Sequence, residues 1–204
     1  NRYDLCGLSY AISNIHFPVS NEAAEAARNR LAFDELLTLQ LGMSMMKTNS
    51  RHHTLCQMDS SKSIDSFLGG LPFEMTDAQK KAIDEIISDL CRNVPMNRLL
   101  QGDVGSGKTA VAAAACYFTV QNGMQAALMA PTEILASQHF STLSEFLEPF
   151  GIKVCLLTGS LTAKRKQAVK DKIISGEINV IVGTHAIIQK DTQYHRLGLV
   201  ITDE

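Results

Sequence analysis

The sequence predicts an α/β protein in which helices cover both faces of a parallel sheet, with a helical segment ahead of it. Three observations lead there. Gln101-Gly102-Asp103-Val104-Gly105-Ser106-Gly107-Lys108-Thr109 fits the pattern G-x-x-x-x-G-K-[ST], a glycine loop that opens a helix. From residue 97 onward, short apolar runs alternate with helical patterns, the rhythm of strands buried on both faces. The last of these runs, Leu199-Val200-Ile201-Thr202, ends on two acids, Asp203 and Glu204.

Residues 1–20 are mixed in character, and Phe17-Pro18 disfavours helix at Phe17. A helix is expected from about Ser20, with Ser20 or Asn21 as N-cap. Ala32, Leu36, Leu39, Met43 and Met46 form one apolar stripe, which predicts packing against a neighbour with the methionines filling gaps. Residues 47–63 are polar and aperiodic and read as a loop or linker. His52-His53 within it lacks further ligands of metal-site spacing and reads as solvated. Thr76-x-x-Gln79 fits a capping box, opening a helix that buries Ile83, Ile86, Ile87 and Leu90.

Beyond it the alternation sets in. Arg98–Gln101 reads as a short strand. Gly107–Gln121 is an Ala-rich helix closed by Asn122-Gly123. Strands follow at Gln125–Ala130, Ile152–Leu157, Ile178–Val182 and Leu197–Thr202. Helices fall between them, from Glu133 to about Leu147, stopped near Pro149, and at Thr162–Ile174. Lys164-Arg165-Lys166, with Lys170 and Lys172, reads as the solvated face of the second.

Composition sets outer limits. The 204 residues, 45% hydrophobic and 20% charged, suffice for one full domain and part of another. A net charge of −2 supplies no global basic field, so any nucleic-acid contact must be local. Cys6, Cys56, Cys91, Cys116 and Cys155 are odd in number and widely spaced, which favours reduced thiols over disulfides or zinc. No apolar run reaches the ~18 residues of a membrane span. The start without Met and the end at Asp203-Glu204 lead us to expect a piece of a longer protein.

The chemistry concentrates at strand ends. Backbone N–H groups of Gly102, Asp103, Val104, Gly105, Ser106 and Gly107 can wrap a phosphate, because glycines let the chain approach it. Lys108 would reach the β- and γ-phosphates, and the Thr109 hydroxyl would ligate Mg²⁺. In an open α/β sheet ligands sit at the carboxyl ends of strands, which brings Asp203 beside the loop. Asp203 would hold Mg²⁺ through water, and Glu204 would orient and deprotonate an attacking water. Gln79 has two readings: it caps its helix, or it reads an adenine edge with Phe73 or Leu71 against the ring, and one side chain serves only one fully.

Three further strand ends carry small polar residues. They are Ala130-Pro131-Thr132-Glu133, Leu157-Thr158-Gly159-Ser160 and Val182-Gly183-Thr184-His185. Each alone reads as a helix cap. Together, Pro131, Thr132, Thr158, Gly159, Gly183, Thr184 and His185 suit a track along a sugar-phosphate backbone.

These motifs resemble the RecG family of ATP-dependent DNA helicases. The likeness lies in Met96–Thr109, in Met129–Ala136 with Gln138-His139, in Leu157–Ser160, in Val182–Ala186, and in His195–Leu199 running on to Asp203-Glu204. Leu71-Pro72-Phe73-Glu74 with Thr76 and Gln79 resembles that family's Q-motif region. Ile15-His16-Phe17-Pro18 and Arg30–Leu37 resemble the tail of its wedge domain and its linker helix. The transcription-repair coupling factor shares the glycine loop, but its next motif differs from Pro131–Ala136. Thr202 departs from the family's apolar residue before the acids, and 47–63 carries no family signature.

The resemblance implies a bacterial, cytoplasmic superfamily 2 motor, monomeric, using ATP and Mg²⁺ on branched DNA such as stalled forks and Holliday junctions in repair and recombination. It implies a wedge-domain tail at 1–20, a linker helix and polar loop at 21–64, and a first, truncated RecA-like lobe at 65–204. It also implies partners in the same chain, a second RecA-like lobe with an arginine finger and the rest of the wedge. Without that finger, worth about 10³–10⁵ in rate in related systems, the chain alone is expected to bind nucleotide weakly and not to turn over. The competing readings are a P-loop kinase or small-molecule NTPase, and a non-catalytic nucleotide- or DNA-binding module.

Overall fold

A computed structural model of the chain describes residue 3, residues 5–49 and residues 57–203. It divides into two compact units, Asn1–His52 and His53–Glu204. His52-His53 and Glu204 lie outside the described residues.

The first unit is a helix pair, α1 (Leu8–His16) and α2 (Asn21–Asn49). The buried alanines Ala11, Ala23 and Ala27 let the two backbones approach. Asn14 fastens the turn between them, accepting from Val19 N at 3.2 Å and donating to Tyr10 O at 3.0 Å. Ser20 caps α2, its Oγ accepting from Ala23 N. Two expectations change here. Helix α1 was not expected, although Leu8, Ala11, Ile12 and Ile15 follow helical spacing; it starts at Gly7 without a side-chain cap. On the stripe of α2, Leu36, Leu39 and Met43 are exposed, and the Met46 side chain lies outside the described residues.

The second unit is built on four parallel strands, β1 (Gln125–Met129), β2 (Val154–Leu157), β3 (Val180–Gly183) and β4 (Leu197–Thr202), in the order β2-β3-β1-β4. On one face lie α4 (Asp77–Leu90), α5 (Lys108–Gln121) and α6 (Glu133–Leu147), enclosing Ala126, Leu128, Val180 and Val182. On the other, Ala127 and Ile181 meet α7 (Ala163–Ile174) and a 3₁₀ turn at His185–Ile188. Neighbouring residues along β1 and β3 thus enter opposite cores, as a sheet covered on both faces requires.

Helix α3 (Asp65–Gly70) was not expected from the sequence. Tertiary packing holds it: Phe67 is fully buried, stacked on Tyr117 at 5.1 Å and tilted against Phe150 at 5.6 Å. The stretch before it is not simply a polar loop. Met58 and Ile64 enter the core, and Asp59 N donates to Asn122 Oδ1 at 2.6 Å. Arg98–Gln101 is not a strand. Arg98 is drawn to α4 by Asp89 and Glu85 at 2.7 and 2.6 Å, and Leu99 is 86% exposed. The basic face of α7 is only partly solvated. Lys170, 6% exposed, pairs with Asp191 at 2.6 Å, and Lys166 donates to Gly159 O at 2.7 Å.

Candidate nucleotide site and strand-end loops

The glycine loop leads into α5. Gly105 and Gly107 stand at φ +82° and +80°, a region that L side chains rarely adopt. Ser106 N closes a turn on Asp103 O at 3.1 Å. A Cβ on Gly102 would meet Ser106 Oγ at 2.6 Å, and one on Gly107 would strike the Gln79 amide. The backbone is therefore packed as a cradle that side chains would fill. Gly107, the N-cap of α5, supplies no side-chain cap, which leaves the helix's first amides and the positive end of its dipole for an anion. Lys108 folds over the loop, its Nζ donating to Gly102 O at 2.6 Å and Asp103 O at 2.9 Å. The ammonium is thereby held against the cradle's rim.

Gln79 joins this loop to α4. Its Oε1 accepts from Thr76 N at 2.8 Å while Thr76 Oγ1 accepts from Gln79 N, so the capping box is complete. Its Nε2 donates to Ser106 O at 2.9 Å. Both ends of the amide are engaged, one in the cap and one in the phosphate loop. Phe73 is exposed on one side and packs edge-on against Phe146 of α6, with ring centres 5.9 Å apart.

Register places the strand ends level with one another. Met129 pairs with Gly183 and with Thr202, and Leu157 pairs with Gly183. The loops after β1, β2 and β3, and Asp203 after β4, therefore lie at one edge of the sheet. Thr202 keeps the ladder, and Asp203 N extends it by donating to Met129 O at 2.8 Å. The Asp203 carboxylate meets His139 Nε2 of α6 at 2.7 Å. The sequence reading missed this contact; its signal was the Gln138-His139 pair, a polar residue on a helix face shared with buried Ala136 and Leu143.

The three loops differ. Pro131 and Thr132 are exposed, with Thr132 Oγ1 capping α6 by accepting from Leu135 N at 3.3 Å. Thr158 is buried, its hydroxyl 3.1 Å from Ser160 Oγ, and Gly159 is exposed. Glu133 Oε1 accepts from Ser160 N at 2.8 Å, and those Ser160 hydrogen bonds hold its carboxyl below the usual range. A carboxylate thus occupies the amide that follows Gly159 in this loop. Gly183 is buried, and a Cβ there would overlap the Leu157 carbonyl, so close packing requires a glycine at this position. Thr184 is half-buried and His185 exposed. Of the expected nucleic-acid contacts, Thr158 and Gly183 are buried.

The donor chemistry suits a nucleoside triphosphate with Mg²⁺: a glycine cradle, an ammonium, a hydroxyl at Thr109 and a carboxylate at Asp203. Among the described residues no three His, Cys, Asp or Glu side chains gather as a metal site. A Mg²⁺ ion here would take its remaining ligands from phosphates and water, as this ion commonly does. Among the described residues, no helix is long and apolar enough to cross a membrane.

Comparison with known proteins agrees with this geometry. Over 204 residues the chain is 43% identical to the ATP-dependent DNA helicase RecG of Bacillus subtilis, and over 201 residues 44% identical to that of Thermotoga maritima. These alignments cover 99% and 98% of the chain but only 30% and 26% of the relatives, so it spans under a third of their length. Among solved structures, RecG bound to a three-way DNA junction matches all of the chain with 43% identity and a TM-score of 0.86, over 28% of that protein. The UvsW helicase of bacteriophage T4, 19% identical with a TM-score of 0.51, shares the fold. The sheet and its helices are thus a RecA-like helicase lobe. The DEAD/DEAH box helicase profile matches residues 76–204, and the chain belongs to that family.

Proposed function

We propose that this chain is the ATP-binding lobe of a RecG-type DNA helicase, an ATP hydrolase that acts on branched DNA such as stalled forks and Holliday junctions in repair and recombination. The observation that carries the reading is the left-handed glycine cradle with Lys108 over its rim, in the same unit as Asp203, which follows the strand paired with β1. The likeness to RecG helicases supports the substrate class.

In this reading Lys108 leaves the carbonyls of Gly102 and Asp103 for the β- and γ-phosphates. Thr109 and Asp203 hold Mg²⁺, which screens phosphate charge when bound. Glu204, outside the described residues, takes the proton of the attacking water. Phe73 flanks the base, and Gln79 reads adenine only by exchanging one of its two present bonds. Exposed Pro131, Thr132, Gly159 and His185, with half-buried Thr184, offer the contacts to the sugar-phosphate backbone. The domain reading assigns 1–20 to a wedge-domain tail, 21–64 to a linker and 65–204 to the lobe. A second lobe and the rest of the wedge are the proposed partners, in a monomer of the bacterial cytoplasm.

The test compares the natural polypeptide that carries this chain with its Lys108→Ala variant. DNA-stimulated ATP hydrolysis should be lost in the variant, while the isolated chain should bind nucleotide weakly without turnover. Hydrolysis unchanged by Lys108→Ala would overturn the site, and turnover by the isolated chain would overturn the need for a second lobe.

A further inference from the structure

The His139–Asp203 contact is a polar link between α6 and the acid that follows β4. His139 shares the inward face of α6 with Ala136 and Leu143, where an apolar side chain would be ordinary. Only 18% of its side chain is exposed, and 39% of that of Asp203. A carboxylate offers only acceptor oxygens, so the tautomer of His139 that carries a proton on Nε2 is the one that makes this bond. The bond engages Oδ2, with Asp203 N held by Met129 O. Backbone and carboxylate are therefore both anchored.

We infer that His139 is the positioning residue for Asp203: it orients the metal-side carboxylate from a helix that itself carries none of the nucleotide-binding residues. The inference rests on Asp203 serving Mg²⁺, as proposed above. Residues that hold a ligating carboxylate from behind typically change metal affinity by about 10–100-fold when removed. A residue that merely pinned α6 to β4 would change thermal stability and leave the metal dependence alone.

The experiment uses the natural polypeptide carrying this chain and follows binding of a fluorescent, non-hydrolysable ATP analogue while Mg²⁺ is titrated. His139→Ala should raise the Mg²⁺ concentration at half-saturation about tenfold, with analogue affinity in EDTA unchanged. His139→Gln retains an N–H donor and should recover most of that shift. A half-saturation within twofold of wild type in His139→Ala would refute the inference. So would an equal loss of affinity in EDTA, or no recovery in His139→Gln. Lys108→Ala separates the two levels: if it leaves analogue binding intact, the nucleotide site itself fails, whereas intact loss there with an unmoved His139→Ala sinks only the positioning role.

Discussion

Gln79→Glu separates the two bonds that Gln79 makes. Glutamate keeps the oxygen that accepts from Thr76 N, and it serves a capping box as well as glutamine does. It has no N–H to donate to Ser106 O and sets a negative charge against the rim of an anion-binding loop. A net hydrogen bond is worth about 0.5–1.5 kcal/mol, and 1.4 kcal/mol is tenfold in affinity. Adding the charge, nucleotide affinity should fall roughly 5- to 20-fold. Helix α4 should hold, since an N-cap costs about 1 kcal/mol only when its bonds are removed. Gln79→Ala removes both bonds, so it should lower melting temperature as well as affinity. Fluorescent nucleotide titration and thermal denaturation of the three proteins read the two effects apart. Wild-type affinity in Gln79→Glu would refute the bridge to the phosphate loop, and a melting temperature as low as that of Gln79→Ala would refute the separation.

Two more outcomes follow from the strand-end loops. Gly183→Ala forces a Cβ against the Leu157 carbonyl and to 2.6 Å from Ile187 Cγ2. Overpacking of this kind costs about 1–3 kcal/mol, or roughly 2–12 °C of melting temperature for a chain of this size; an unchanged melting curve would show that Gly183 is not held for packing. The Glu133 carboxyl, lowered by its hydrogen bonds to Ser160, should titrate below the ordinary glutamate value of about 4.3. Its folded value lies under its unfolded one, so its stabilising contribution is complete above the unfolded value and fades as pH falls through the folded one. An NMR titration of the Glu133 side-chain carboxyl carbon, read alongside the Ser160 amide, would contradict this if the midpoint were ordinary or raised.

Legibility in the sequence followed how local the physics was. Alternating apolar runs, the Asn122-Gly123 stop and Thr132 and Thr162 ahead of their helices act within a few residues, and each element appears near its expected bounds. Helix α3 failed the same test because its two glycines argue for a break, and the rings of Tyr117 and Phe150 outweigh them. Arg98–Gln101 has the apolar content of a strand, but Arg98 is claimed by two acids on α4. Lys166 and Lys170 sit in a charge run that looks solvated, and only the fold shows the carbonyl and the carboxylate they reach.

The residue types and spacing of Gln101–Thr109 and of Asp203-Glu204 by themselves pointed to a phosphate-binding loop, and the alternation from residue 97 to an α/β fold. A cradle of glycines followed by Lys-Thr has one chemistry wherever it opens a helix. Tertiary structure alone decided which groups those residues keep company with. Gln79 serves cap and loop together because α4 starts beside Ser106. Glu133 covers Ser160, Gly183 is packed shut against Leu157, and Asp203 is held by His139 from 64 residues away. Such contacts depend on how strands register and helices cross, distances that no sequence interval encodes.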